Sequence, residues 1–247
     1  MPTCFDKIST NGEFLIQTAI ILAAGMGTRL RDKAPSKPLC PVAGRPLIDH
    51  ALERLAQAGL TRAIVVTGYE AERIEAHLAA RPQPLSVATV RTRDWREPNG
   101  VSALAAAPLV ADAPALLLMC DHLVEPALYR RMAASDPGTG LNLGIDRRLG
   151  HEWVDPLDVT FVATEGDRIV AIGKEMTPHD CYDTGVFAVG SGFFAALAAL
   201  PSPSITEAVR ALAADGAARV VDCSDLKWLD VDDAKALAWA EEWLASA

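Results

Sequence analysis

Along the first half of the chain, short apolar runs alternate with stretches in which apolar residues recur every three to four positions. Ala19-Ile20-Ile21-Leu22 predicts a strand over 18–22, and residues 46–58 gather Pro46, Leu47, Ile48, Ala51, Leu52 and Leu55 on one helical face. Ile64-Val65-Val66 reads as a second strand, 71–80 as a helix, 85–90 as a strand and 100–110 as a helix. The run ALLLMC (115–120) is apolar without alternation, the pattern of a strand covered on both faces. Strands and helices in this order predict a mostly parallel sheet wrapped by helices.

The pattern changes in the second half. DVTFVATEGDRIVAIG (158–173) holds two β-rich runs joined by Glu165-Gly166-Asp167, which signals a hairpin and not a crossover. GVFAV (185–189) predicts a further strand, followed by alanine-rich helices over 192–200 and 205–214 and strands over 219–222 and 228–231. A last helix runs from Asp232 to about Ser246, with Asp232 or Asp233 as its N-cap. With no repeat and no linker, the expected organisation is an N-terminal arm (1–17) and one domain (18–247) whose second half forms a lid on the same sheet.

Composition narrows the classes. Half of the 247 residues are apolar, enough to fill one large core. No apolar run reaches the roughly 18 residues of a membrane span, so membrane insertion is not expected. The opening MPTCFDKISTNGEFLIQ carries Asp6 and Glu13 and lacks the apolar segment of a secretory signal. Five scattered cysteines without C-x-x-C spacing argue against a disulfide framework or a structural zinc, and point to the reducing cytoplasm. A net charge of −9 argues against a nucleic-acid partner, whose backbone is gripped by a basic surface.

One segment runs against that acidic balance. LAAGMGTRLRDKAPSKPL (22–39) sets two glycines, two arginines and two lysines directly behind the first strand's apolar run. A dinucleotide fingerprint requires glycine at position 30, where Leu30 stands; a P-loop requires glycine and lysine where the chain has Leu30 and Arg31. What is left still makes chemical sense. Ala23, Ala24, Gly25 and Gly27 let a backbone approach a base and triphosphate closely, Arg29 offers a planar fork for phosphate oxygens, and Lys37 offers a mobile point charge. The plain structural alternative is a glycine turn with solvated cations.

The string L-A-A-G-x-G-T-R-L, followed by Lys37-Pro38-Leu39, resembles the nucleotide-binding motif of the sugar-phosphate nucleotidyltransferases. Further matches follow in order. NGVSAL (99–104) resembles the segment that recognises base and ribose, although Asn99 or Ser102 would serve equally as a helix N-cap. MCDH (119–122) puts Asp121 at a strand's C-terminal end, and WLDVDD (228–233) supplies Asp230 and Asp232 at another. DRIVAIGKEMTPHDCYDTGVF (167–187), with DVT shortly before it, resembles the acceptor half of inositol-1-phosphate cytidylyltransferases, and the likeness covers about residues 18–245.

That resemblance implies a single Rossmann-like α/β nucleotidyltransferase domain with a central mixed, mostly parallel sheet and an acceptor-binding lid. It implies nucleotide contacts from Leu22, Ala23, Ala24, Gly25, Gly27, Asn99, Gly100 and Ser102, with Arg29, Lys37 and Lys174 as catalytic cations. Mg²⁺ would be held by Asp121 together with Asp230 or Asp232, and the acceptor by Asp146, Lys174, Asp183 and Thr184. Asp146 and Arg147 are equally well explained as a surface ion pair. The implied reaction moves CMP from CTP to 1L-myo-inositol 1-phosphate, releasing pyrophosphate.

Other readings stay open at this point. The acceptor could be a hexose 1-phosphate, or phosphocholine if Trp95, Trp153 and Tyr182 form an aromatic cage. A catalytically inactive nucleotide sensor is the reading from another class, and the joint presence of Lys37, Asp121, Lys174 and Asp230 argues against it. Many relatives carry a fused membrane phosphotransferase, and this chain has no membrane span. Either a separate CDP-alcohol phosphotransferase consumes the product, or the product has another fate.

Overall fold

The computed structural model describes residues 16–30 and 34–246. Most of the expected N-terminal arm lies outside the described residues. Its last two positions are docked: Ile16 is buried and its N–H donates to Ala133 O (2.8 Å), while Gln17 O accepts from the N–H groups of Thr61 and Arg62.

The first strand, β1 (Thr18–Ala23), runs through 3-10 turns at Thr28–Leu30 and Lys37–Leu39 into a small hairpin, β2 (Pro41–Val42) and β3 (Arg45–Pro46). Then α1 (Leu47–Ala58), β4 (Arg62–Thr67), α2 (Ala71–Ala79), β5 (Ser86–Arg91), α3 (Asn99–Val110) and β6 (Ala115–Met119) give the alternation that periodicity predicts. The second half holds β7 (His122–Val124), α4 (Pro126–Ala133), β8 (Leu141–Asp146), β9 (Phe161–Glu165), β10 (Arg168–Gly173) and β11 (Cys181–Val189). It ends with α5 (Ser191–Ala198), α6 (Ile205–Ala214), β12 (Ala218–Asp222), β13 (Trp228–Asp230) and α7 (Ala234–Ala245).

Nine strands form one mixed sheet in the order β5-β4-β1-β6-β11-β8-β12-β10-β9. Pairing is parallel from β5 to β6 and between β8 and β12. It is antiparallel elsewhere, so the parallel character expected for the whole sheet belongs mainly to the first half. The hairpin β9–β10 read as part of a lid is the far edge of this sheet, and β9 also pairs with β11, closing the last five strands on themselves.

Alternation along β1 sets the layers. Ala19, Ile21 and Ala23 pack with Ile48, Leu52 and Leu55 of α1 and Leu128, Tyr129 and Met132 of α4. Ile20 and Leu22 face the other way, onto Ala103 and Ala106 of α3 and the α5–α6 pair. Each buried Ile, Leu or Met side chain among them contributes about 1.5–3 kcal/mol relative to exposure. A third cluster, with Leu30, Val42, Leu123, Leu229 and Trp243, fastens α7 over the small β7–β13 ribbon. Among the described residues no helix is long and apolar enough to cross a membrane.

Besides the two-residue strands β2 and β3, β7, α4 and β8 escaped the sequence pattern for physical reasons. Strand β7 is three residues long, α4 carries two arginines, and β8 is interrupted by Asn142 and Gly144. Gly144 has no room for a side chain, since a Cβ there would meet Thr184 Oγ1 at 2.9 Å. The choice of N-cap for α7 is also decided: Asp233 Oδ1 accepts from Ala236 N–H at 2.7 Å, which releases Asp232 for other work.

Candidate active site

Strands β1 and β6 are parallel neighbours, so the glycine loop after β1 and Asp121 after β6 meet at one edge of the sheet. That edge, beyond the carboxyl ends of parallel strands, is where open α/β sheets place ligands. Lys37 reaches it from the second 3-10 turn, only 8 % exposed. A buried ammonium is costly unless paired. Lys37 Nζ donates to Asp121 Oδ2 at 2.6 Å, forms an ion pair with Asp232, and lies 3.8 Å from Asp230 Oδ1.

Gly27 makes this possible. Its φ of +59° suits glycine, and a Cβ at this position would stand 2.5 Å from Lys37 Cβ. The glycine expected to admit a nucleotide therefore also seats the lysine's aliphatic stem.

A second ionic chain borders the first. Arg29 reaches Asp232 Oδ2 at 2.7 Å and pairs with Asp158, whose Oδ1 accepts from Lys174 Nζ at 2.7 Å. Asp158 thus ties the cation of the glycine loop to the cation that follows the hairpin. Sequence reasoning gave it no role, although DVT (158–160) was the signal that pointed to it. On the other side, His122 Nδ1 shares a hydrogen bond of 2.9 Å with Asp121 Oδ1.

The charges perturb one another strongly. Burial works against the Lys37 ammonium, but Asp121 and Asp230 outweigh it and raise its pKa. Burial likewise opposes the Asp121 carboxylate, yet Lys37 and His122 hold it well below the usual carboxylate range. Burial and the neighbouring Asp121 push Asp230 up. His122 resists burial and is pushed up to about 9 by Asp230 and Asp121. Asp183 is pushed up to about 6 by burial.

Two pockets adjoin here. The smaller, about 220 Å³, is walled by Leu22, Ala24, Gly25, Gly27, Lys37, Trp95 and Ser102. The larger, about 510 Å³, is walled by Arg29, Asp158, Lys174, Asp183, Asp230 and Asp232, with the indoles of Trp153, Trp228 and Trp239. Asn99, Met119 and Asp121 line both.

Several expected contacts fall elsewhere. Asp146 is 1 % exposed and bonded by Trp228 Nε1 (2.9 Å) and Arg148 (2.8 Å), so it lines neither pocket, and it is no surface partner of Arg147, which pairs with Asp180. Thr184 is fully buried and donates to Gly144 O at 2.7 Å, away from the cleft. Ala23 is enclosed in β1, and Gly100 is pressed against the Pro203 carbonyl, where a Cβ would stand at 2.5 Å. Neither Asn99 nor Ser102 caps α3; Asn99 Oδ1 instead accepts from Ile205 N–H at 3.0 Å. The three aromatics of the cage alternative do not converge: Trp95 lines the smaller pocket, Trp153 the larger, and the buried Tyr182 accepts from Gly150 N–H at 2.8 Å.

The donor set fits a hard divalent cation. Oxygen atoms of Asp158, Asp230 and Asp232 lie within 4.8 Å of one another, as do ligand atoms of Asp121, His122 and Asp230. Asp230 Oδ1 is buried and accepts no hydrogen bond. Mg²⁺ commonly takes one or two such carboxylates and completes its shell with water and phosphate oxygens.

Pockets that share one carboxylate, with Arg29, Lys37 and Lys174 around the junction, form an arrangement that can receive two anionic groups side by side. The chain belongs to the MobA-like NTP transferase domain family, whose model matches residues 19–151. It is 33 % identical over 240 residues to a bifunctional IPC transferase and DIPP synthase of Rubrobacter xylanophilus, covering 92 % of this chain and 53 % of that protein. It is 28 % identical over 240 residues to a CMP-5'-(3-aminopropyl)phosphonate synthase of Streptomyces rubellomurinus, covering 87 % and 37 %. The chain thus spans about half or less of the length of these curated relatives. Its fold is similar to that of the inositol-1-phosphate CTP transferase from T. maritima, with a TM-score of 0.82 at 22 % identity over 94 % of this chain and 96 % of that one.

Proposed function

We propose that the protein is an Mg²⁺-dependent nucleotidyltransferase that moves CMP from CTP to 1L-myo-inositol 1-phosphate, giving CDP-inositol and pyrophosphate. The observation that carries this reading is the meeting of a small, backbone-walled pocket and a larger, polar one at Asp121. CTP occupies the first and inositol 1-phosphate the second. The resemblance of residues 167–187 and the relative from Rubrobacter support inositol phosphate as acceptor.

The acceptor phosphate is already an anion at neutral pH, so no general base is needed. One of its oxygens attacks the α-phosphorus of CTP in line; the bond to the bridging oxygen breaks and pyrophosphate leaves with the electron pair. Arg29, Lys37 and Lys174 now neutralise carboxylates, and the incoming phosphates take over these cations, so the positive groups are in place before charge develops. Lys174 directs the acceptor phosphate, while Lys37 and Arg29 hold the triphosphate. When bound, Mg²⁺ draws charge from phosphate oxygens, and Asp121 with Asp230 would hold it. Asp230 is preferred over Asp232 because its Oδ1 is buried and accepts no hydrogen bond, a position that a cation would fill. The CDP-inositol formed would then be consumed by a CDP-alcohol phosphotransferase or have another fate, with the transfer itself taking place in the cytoplasm.

Pyrophosphate release, measured for four nucleoside triphosphates against inositol 1-phosphate, phosphocholine and glucose 1-phosphate, tests the reading. Turnover is expected to be greatest with CTP and inositol 1-phosphate. Release in no combination would favour the nucleotide-sensing alternative, and a different best acceptor would redirect the assignment of the larger pocket.

A further inference from the structure

We infer that His122 is a positioning residue that locks Asp121 and Asp230 toward the transfer site, through a buttress running back to the buried Asp146. The inference rests on the reading that these two aspartates face the metal and phosphates. Asp121, Asp230 and Asp232 all crowd about Lys37, and like charges so close would turn away from one another if their side chains were free. His122 removes that freedom. Its Nδ1 engages Asp121 Oδ1 at 2.9 Å, which leaves Oδ2 facing Lys37, and it lies 3.8 Å from Asp230 Oδ1.

The ring itself is held from several sides. His122 and Asp230 sit directly opposite each other on the antiparallel β7–β13 ribbon. The imidazole stacks on Trp228 at 6.2 Å between centroids and 12° between planes. Against its other atoms lies Gly185, where φ is +75° and a Cβ would stand 2.6 Å from Nε2. Trp228 is fixed in turn, because its Nε1–H donates to Asp146 Oδ2 at 2.9 Å and Arg148 grips the same carboxylate. Asp146 therefore serves the site from behind, without touching a substrate. Groups that hydrogen-bond metal-holding carboxylates from outside commonly matter 10–100-fold to affinity or rate.

Mn²⁺ binding in the presence of CTP, followed by electron paramagnetic resonance, tests this without requiring turnover. His122→Leu is expected to weaken Mn²⁺ binding about 10-fold and to lower kcat by a similar factor. His122→Asn, whose amide can replace the Nδ1 donor, should recover most of both. Trp228→Phe keeps the stacked face but unties it from Asp146, and should fall between wild type and His122→Leu. Wild-type Mn²⁺ affinity in folded His122→Leu, or an Asn variant as impaired as Leu, would overturn the inference alone. A wild-type protein that binds neither Mn²⁺ nor CTP would overturn the functional reading as well.

Discussion

The smaller pocket draws much of its wall from the glycine loop and the start of α3, completed by Lys37, Trp95 and the end of β6, whereas the larger is walled by side chains from eight stretches scattered between Arg29 and Trp239. The difference has a physical origin. A close backbone approach needs glycine and alanine at fixed spacing, so it is written locally; a cleft of carboxylates, ammonium groups and indoles depends on which strands become neighbours. Among the described residues, only Asn99, Met119 and Asp121 belong to both walls, which makes the junction the place where either side can be broken.

Asp121→Asn should damage both sides at once. Loss of the carboxylate that would hold Mg²⁺ and that orients Lys37 is expected to lower kcat by about 10²–10³-fold, measured by steady-state kinetics in both substrates. Gly27→Ala sharpens the nucleotide side, because the new Cβ would collide with Lys37. A displacement of Lys37 is expected to cost about 10²-fold in turnover with CTP and to leave acceptor KM unmoved. Lys174→Ala should do the converse, raising acceptor KM by about 10-fold, the worth of a charge-assisted hydrogen bond, with CTP KM unchanged.

Two stability measurements separate framework from cleft. Asp146→Asn should lower unfolding free energy by about 1–3 kcal/mol in urea titrations without changing acceptor KM, as expected when a buried acceptor loses charge-assisted hydrogen bonds to a half-exposed arginine. Asp183 behaves differently, because burial raises its pKa to about 6. A carboxyl raised on folding favours the folded state at low pH and withdraws that support as pH climbs through the raised value. Asp183→Asn should therefore match wild type below about pH 4 and exceed it by up to about 3 kcal/mol near pH 7.

The same contrast governs how much could be read from the chain. The glycine loop, Lys37, Asp121 and the β–α order of the first half were legible, since strand ends and helical periodicity are local signals. Asp183 and Thr184 were read together as acceptor ligands, but successive strand residues point to opposite faces, so with Asp183 in the cleft Thr184 turns to Gly144. Asp146 was misread because its partner lies 82 residues away at Trp228, a pairing that no spacing announces. Asp158 lies just before β9 with no periodic pattern around it, and only the fold brings it between Arg29 and Lys174.

Product analysis by mass spectrometry addresses the central claim most directly. With CTP, inositol 1-phosphate and Mg²⁺, the two-pocket site predicts CDP-inositol and pyrophosphate in equal amounts. CMP with pyrophosphate but no CDP-inositol, or CDP with inorganic phosphate, would contradict it, because attack would then come from water or fall on a different phosphorus.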